Sequence, residues 1–347
     1  MKGVRKPTLH VDFGFDRLSL LEVTGDEVTG WAVSDLPTGL VRNGDPVEPV
    51  QLANLIREMA RQKGLSAVRA RFTIPDESAV FRLVDLPAMP RRHLGHALAF
   101  VVEREVPLPS DRIRWGWDVM ERTEIGYRIC LVAAWGDVIE RIQQVALLAG
   151  LELELVEPRS LAVARSVEQD RVVIFDASRE RIQVLVLRQG VIPFVEQAPM
   201  PTDPLACART LERLLRRGYN DENEVAEKGQ VVLAGELEEL ALPVSMPTVA
   251  ASQILTGNHL RRTGGMPSGS LLANVGMAMR TGAGRKTRIG IANINLIQET
   301  SHPRWTVPRP RAPGALAARA ILAGRTALGQ AVAGRRKLPA RIGGLED

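Results

Sequence analysis

The sequence contains Leu9-His-Val-Asp-Phe-Gly14 near its N-terminus and Arg171-Val-Val-Ile-Phe-Asp176 near its middle. Each stretch is a strand-like apolar run that reaches an aspartate, and each is followed by two further runs with the alternation of strands. Turn residues separate those runs in both places, Gly25-Asp26 in the first and Gln189-Gly190 in the second. The repetition predicts an α/β fold with two similar halves, each opening on a meander whose first strand ends at an aspartate.

Helix and strand patterns continue each half beyond its meander. In the first half, Pro49 precedes apolar residues at helical spacing from Leu52 to Met59, which predicts an amphipathic helix. In the second half, a helix pattern from Leu205 to Leu215 leads to the strand-like run Val231-Val-Leu-Ala-Gly235. The two halves therefore share their predicted order of elements as well as the aspartate at the first strand end.

A separate α+β unit is predicted between the two halves, over residues 80–157. Its first helix begins after Pro90 and places Leu94, Leu98 and Val102 on one face. Two strand-like runs follow, then a second helix, and then the alternating leucines of 151–155. This local order predicts a self-contained subdomain inserted into the first half.

The charges of the chain are unevenly distributed. Residues 301–347 hold nine of the 45 lysines and arginines and two of the 40 acidic residues, so the remaining chain carries 36 basic and 38 acidic groups. A body so close to neutrality lacks the electrostatic footprint of a nucleic-acid-binding protein, and we expect no nucleic-acid partner. We expect no apolar leader and no membrane-spanning run, so that any membrane contact is indirect or made through the basic tail.

Several short motifs occur in the order typical of one protein family. They are Leu36-Pro-Thr-Gly39, Asp85-Leu-Pro-Ala-Met89, Val106-Pro-Leu-Pro109, Val156-Glu-Pro158 with Leu161-Ala162, and Ala273-Asn-Val-Gly-Met-Ala-Met-Arg280. Together with the duplicated halves, this series resembles the PilM family of type IV pilus assembly proteins, within the actin-like superfamily that includes FtsA and MreB. The resemblance covers roughly residues 8–280 and implies two ribonuclease-H-like halves with a small α+β insertion.

The patterns and the resemblance together predict four regions. Residues 1–79 are predicted to be the first half of the actin-like core, 80–157 the insertion subdomain and 158–280 the second half. Residues 281–347 are predicted to be a basic tail, rich in proline and alanine and largely disordered.

Actin-like proteins bind ATP with Mg²⁺ between two turns, and the resemblance identifies the corresponding positions here. They are Asp12 and Gly14 in the first turn, Asp176 and Ser178 in the second, and Gly235 on the adenosine side. The family pattern is broken because Phe15 and Asp16 replace small hydroxyl residues and Ser178 replaces a glycine. Glycine lets backbone amides approach phosphate closely, and an acidic side chain in such a turn repels phosphate.

The damaged turns predict a pseudo-ATPase. We expect no bound cofactor, no catalytic residues and no metal-binding residues, because no cluster of histidine, cysteine or acidic residues has the spacing of a metal site or a catalytic constellation. Weak binding of ATP with Mg²⁺ to the retained turn residues is the alternative.

A short motif in the predicted tail, Ile294-Asn295-Leu296-Ile297, resembles the N-terminal peptide of PilN, the membrane partner of PilM proteins. The family peptide has a proline where this chain has Gln298. We predict that the motif docks as an extended strand in a groove between the first half and the insertion, with Ile294 and Leu296 pointing one way and Asn295 the other. The docked peptide is either this chain's own tail or a PilN-like partner.

The resemblance implies a cytoplasmic scaffold rather than an enzyme. The expected place of the protein is the cytoplasmic face of the inner membrane, in the assembly platform of a pilus, competence or secretion machine. The expected partners are a PilN-like membrane protein and other platform proteins. Two alternatives stay open: an ATP-binding actin-like ATPase or switch, and an FtsA-like filament-forming protein associated with the membrane.

Overall fold

The computed structural model describes residues 6–14, 16–42, 44–218, 230–240, 248–255, 260–261, 265–280 and 290–297. The strands are β1 (Thr8–Asp12), β2 (Arg17–Thr24), β3 (Glu27–Asp35), β4 (Arg69–Ile74), β5 (Ala79–Pro87), β6 (Ile113–Arg122), β7 (Gly126–Trp135), β8 (Glu152–Pro158), β9 (Arg171–Ala177), β10 (Arg181–Arg188), β11 (Val191–Pro199), β12 (Gln230–Gly235) and β13 (Thr248–Ala250). The helices are α1 (Pro49–Gln62), α2 (Arg91–Glu105), α3 (Gly136–Ala149), α4 (Arg159–Val167), α5 (Pro204–Gly218), α6 (Ala251–Leu255) and α7 (Leu272–Ala278). Among these helices, none has the length and apolar character needed to cross a bilayer.

Two five-stranded sheets have the same topology. The first has the order β3-β2-β1-β4-β8, and the second has the order β11-β10-β9-β12-β13. In both, the first three strands form an antiparallel meander, and two later strands are added parallel to the first strand. The central strands β1 and β9 are buried almost throughout, as strands covered on both faces must be. The predicted duplication and the α/β fold class are confirmed.

The helices pack on these sheets through their apolar faces. Pro49 is at the start of α1 and the buried face of that helix carries Leu52, Ile56 and Met59, as the sequence predicted. Helix α4 is buried along its whole length and packs against α7. The two helices approach so closely that a Cβ at Gly276 would lie 1.7 Å from the carbonyl oxygen of Ala162, so only glycine fits there.

The insertion is smaller than the sequence suggested. Its antiparallel sheet has the order β5-β7-β6, and α2 covers one face to form a separate apolar core. The predicted range 80–157 is wrong at its C-terminal end, because α3 packs on α1 and β8 pairs with β4 in the first sheet. The insertion therefore spans Ala79 to Trp135, and residues 136–158 belong to the first half.

The predicted tail boundary is also wrong. The segment 290–297 packs into the main hydrophobic core, where Ile291, Ala292, Ile294 and Leu296 are at most 1% exposed. These residues belong to the folded body, because a disordered segment leaves such side chains in water. The remainder of the predicted tail, 281–289 and 298–347, lies outside the described residues, and so does Gln298.

Candidate functional site

The two strand-end aspartates face each other across the cleft between the halves. Asp12 ends β1 and Asp176 lies near the end of β9, and each is 5% exposed. The same arginine side chain lies between them: Arg159 Nε donates to Asp12 Oδ2 at 3.1 Å, and Nη2 donates to Asp176 Oδ2 at 2.5 Å. The third nitrogen, Nη1, donates to Gln183 Oε1 at 3.1 Å. The guanidinium thus joins the halves by charge-assisted hydrogen bonds.

Arg159 is charged although it is buried. Burial disfavours the guanidinium cation, but the carboxylates of Asp176 and Asp12 outweigh that effect and raise the pKa of Arg159 above its usual value. The residue is the first of α4, directly after Pro158. Arg159 was not among the residues predicted from the sequence, although it directly follows the motif Val156-Glu-Pro158.

Gly14 leaves a space that the arginine fills. A Cβ at this position would lie 2.7 Å from Arg159 Nε and 2.9 Å from its Cδ. The glycine that the resemblance assigns to phosphate binding therefore has its open side packed against a guanidinium stem from the same chain.

A third carboxyl group, that of Asp76, extends the network. Asp76 Oδ1 accepts hydrogen bonds from the Ser160 amide at 3.2 Å and hydroxyl at 2.6 Å, and Oδ2 accepts from Gln183 Nε2 at 2.7 Å. Burial raises the pKa of Asp76, while the bonds from Ser160 and Gln183 oppose the shift. The cluster combines one cation with three carboxyl groups, so it offers no excess positive charge for a phosphate.

Ser178 and Gly235 each have a role within the fold. The Ser178 hydroxyl accepts from the Glu180 and Arg181 amides at 3.4 and 3.3 Å, which closes the turn between β9 and β10. Gly235 has φ +63°, and a Cβ there would lie 2.0 Å from the Ala177 carbonyl oxygen. The close pairing of β12 with β9 requires a glycine at position 235, whether or not a ligand binds.

The mouth of the cleft is lined by three acidic groups and by Arg181. A cavity of about 180 Å³ lies there, with Asp16, Glu77 and Glu180 among its walls. Ion pairs cross between the halves nearby: Arg17 with Glu236 at 2.7 Å, Arg179 with Asp35 at 3.0 Å, and Arg181 with Glu77 at 3.4 Å. Drug-sized ligands usually occupy cavities of about 300–1,000 Å³.

A second candidate site is the groove between β6 of the insertion and β8 of the first half, which we call the peptide groove. It holds residues 290–297. The Leu296 amide donates to the Val156 carbonyl oxygen at 2.9 Å, and the Asn293 amide donates to Asp118 Oδ2 at 3.0 Å. The predicted location, between the first half and the insertion, is therefore where the structure places the motif.

Asn295 connects the motif to β8 through its side chain. Its Oδ1 accepts from the Val156 amide at 3.2 Å, and its Nδ2 donates to the Glu154 carbonyl oxygen at 3.0 Å. A primary amide has a donor and an acceptor side by side, as an edge of peptide backbone does. The prediction of a regular strand is wrong, because residues 290–295 do not form a strand and residues 296–297 form a turn. The asparagine side chain makes the contacts with β8 that a strand backbone would make.

The apolar residues of the motif anchor it. Ile294 and Leu296 are each 1% exposed, and Ile297 is partly buried against the same core. Gly116 on β6 makes room for Ile294, because a Cβ at Gly116 would lie 2.9 Å from Ile294 Cγ2.

Two arginines, one of them fully buried and the other 14% exposed, bind backbone carbonyl groups of the segment. Arg165 Nη2 donates to the Ala292 oxygen at 3.3 Å, and Arg280 Nη1 donates to the Ile294 oxygen at 2.6 Å. Glu157 on β8 holds both guanidinium groups, at 3.0 and 2.8 Å. We call Glu157, Arg165 and Arg280 the arginine triad. It recognises backbone rather than side chains, so it fits any peptide that presents carbonyl groups with this spacing.

The comparisons with known proteins concern structure. No protein-family model matches the sequence, and no curated protein matches it. Among solved structures, a chain of the PilM-PilN type IV pilus biogenesis complex matches with a TM-score of 0.62 and 18% identity, over 79% of this chain and 98% of that chain.

Two further solved structures match with lower scores. The cytoplasmic domain of EpsL, an inner-membrane component of the type II secretion system of Vibrio cholerae, has a TM-score of 0.45 and 14% identity, covering 73% of this chain and 93% of that one. A Bacteroides thetaiotaomicron protein with an actin-like ATPase fold and unknown function has a TM-score of 0.43 and 9% identity, covering 80% and 97%. The duplicated sheets and the match to the PilM-PilN structure, over most of both chains, lead to one conclusion: this chain has the actin-like fold and matches PilM in structure.

Proposed function

We propose that this protein is a scaffold in the inner-membrane assembly platform of a type IV pilus or type II secretion machine, where it holds an extended peptide of a membrane partner. The observation that carries the proposal is the peptide groove, which contains an Ile-Asn-Leu segment bound through β8, Asp118 and the arginine triad. The protein would act at the cytoplasmic face of the membrane.

The partner we propose is a PilN-like membrane protein with an Ile-Asn-Leu sequence in its cytoplasmic N-terminal peptide. The structural match supports this, since that solved structure is a PilM-PilN complex. The chemistry of the groove supports it too: Ile294 and Leu296 are buried, and an asparagine between them satisfies both the Val156 amide and the Glu154 carbonyl. A peptide without that asparagine would leave these two backbone groups unpaired, at a cost of about 1–3 kcal/mol each where they are desolvated.

We further infer that the scaffold works without nucleotide. ATP with Mg²⁺ does not fit the cleft residues, because the side chain of Arg159 fills the space beside Gly14. The acidic side chains at the cleft mouth oppose the approach of phosphate. Arg159 also forms ion pairs with both Asp12 and Asp176, so a side chain of the protein, and not a bound nucleotide, connects the two halves.

Gly116→Ala is expected to weaken peptide binding by about 1–2 kcal/mol, roughly 5- to 30-fold, because the added methyl group overpacks the groove against the peptide isoleucine. Gly116→Ala is tested in a full-length chain that also carries Leu296→Asp. In that chain a carboxylate replaces a leucine that is 1% exposed, so residues 290–297 no longer occupy the groove. A labelled synthetic peptide of residues 290–297 is titrated by fluorescence anisotropy.

The matched control is Gly95→Ala, also in the insertion, where a Cβ meets nothing within 4 Å. It should leave the affinity unchanged. Equal affinities of the Gly116→Ala and Gly95→Ala chains, or no binding by the Leu296→Asp chain itself, would show that the groove is not a peptide site.

A further inference from the structure

The occupant of the peptide groove is part of the same chain, and this affects how the groove can be used. Leu296 and Ile294 are as buried as core residues, and the Val156 carbonyl group and the Arg280 guanidinium are paired with the segment. A second peptide cannot enter while residues 290–297 are in place, because it would need the same backbone groups of β8 and the same arginine donors.

The segment is tethered close to where it binds. Arg280, the last described residue before it, donates to the Ile294 carbonyl oxygen at 2.6 Å. Nine residues, 281–289, separate Arg280 beside the groove from Gly290 at the start of the segment. A short tether of this kind raises the effective concentration of the bound segment to about millimolar.

We propose that residues 290–297 are an intramolecular competitor that keeps the groove closed until a partner peptide displaces them. The inference rests on the proposed function of the groove. It adds that access to the groove is regulated within the chain: the partner must present the same pattern at sufficient local concentration. Membrane-anchored partners in a platform can reach such concentrations, while dilute soluble peptides do not.

The arginine triad explains why displacement by a similar peptide is possible. When the segment leaves, Arg165 and Arg280 lose the carbonyl oxygens of Ala292 and Ile294, and unpaired buried donors are unfavourable. A partner peptide with the same backbone spacing restores both contacts, and its asparagine restores those to Val156 and Glu154. The exchange therefore favours peptides of the Ile-Asn-Leu type over unrelated apolar sequences.

The test compares three full-length chains titrated with the labelled 290–297 peptide: wild type, Leu296→Asp and Leu147→Asp. Leu147 is 76% exposed on α3, so its substitution controls for an added aspartate. For a peptide with an intrinsic dissociation constant on the order of 10 µM, wild type and Leu147→Asp should bind roughly 100-fold more weakly than Leu296→Asp.

The outcomes separate the two proposals. Wild type binding as tightly as Leu296→Asp overturns the competitor and leaves the groove as a peptide site. No binding by Leu296→Asp overturns the proposed function, and the competitor with it.

A measurement on wild type alone covers the case in which Leu296→Asp does not fold. Saturating isotope-labelled free peptide should speed hydrogen exchange at the Leu296 amide of the tethered segment, which is bonded to Val156. Unchanged exchange under conditions where the peptide binds the protein overturns the competitor.

Discussion

Arg159→Ala is expected to lower the free energy of unfolding by about 3–5 kcal/mol, the usual effect of removing one partner from a buried ion pair. The substitution would leave Asp12 and Asp176 buried, close together and without the guanidinium that joins them. Each carboxylate was desolvated at a cost that the arginine offsets, so the loss exceeds that of the hydrogen bonds alone. Urea denaturation followed by circular dichroism measures the change.

Arg179→Ala is the matched control for this substitution. Arg179 also pairs with an aspartate across the cleft, Asp35 at 3.0 Å, but both side chains are about 70% exposed. An exposed pair contributes about 0–1 kcal/mol, so Arg179→Ala should have little effect. If Arg159→Ala and Arg179→Ala reduce stability equally, Arg159 does not connect the halves in the way its contacts indicate.

Glu157→Gln is expected to have a similarly large effect, about 3–5 kcal/mol, because it leaves one fully buried and one largely buried arginine without their carboxylate. Glu157 and Arg165 are fully buried, and Arg280 is 14% exposed. Burial by itself would raise the pKa of Glu157, but the charges of Arg165 and Arg280 outweigh it and lower the pKa below the usual 4.5. The carboxylate therefore stabilises the fold in its ionised form.

The pH dependence follows from that direction. The stabilisation by Glu157 should be complete above pH 4.5 and should be lost as the pH falls through the lowered native pKa. Wild type and Glu157→Gln should thus differ most near neutral pH and converge in acid. The control is Glu154→Gln: Glu154 also binds two arginines, Arg69 and Arg71, but is 23% exposed. The role given to the arginine triad is contradicted if Glu157→Gln lowers the free energy of unfolding no more than Glu154→Gln does. It is also contradicted if the stability difference between wild type and Glu157→Gln does not change with pH.

The duplicated core was accessible from the sequence because its signal is local. An apolar strand that ends at Asp12 and another that ends at Asp176 can be recognised from neighbouring residues, and both turned out to be central strands. The insertion boundary was not accessible in this way. Alternating leucines at 151–155 predict a strand, but they do not say whether it pairs with β4 or with the insertion sheet.

Only part of the candidate site could be predicted, because only part of it has a local signal in the sequence. Asp12, Gly14 and Asp176 were identified through the family resemblance, which rests on local patterns. Arg159 required knowledge of where the start of α4 lies between two sheets. The motif Ile294–Ile297 was found from its residues, but its inclusion in the folded core depends on a groove built from Gly116, Val156 and distant arginines. Tertiary contacts of this kind have no local pattern in the sequence.

The most direct test of the central claim, that the groove holds a peptide without help from nucleotide, is one calorimetric titration. The 290–297 peptide is titrated into full-length Leu296→Asp chain, with and without saturating ATP and Mg²⁺. We predict binding in both conditions with the same dissociation constant, because under the proposal the cleft takes no nucleotide and so passes no coupling free energy to the groove. Absence of binding without nucleotide, or an affinity that changes tenfold when ATP with Mg²⁺ is added, would contradict the account.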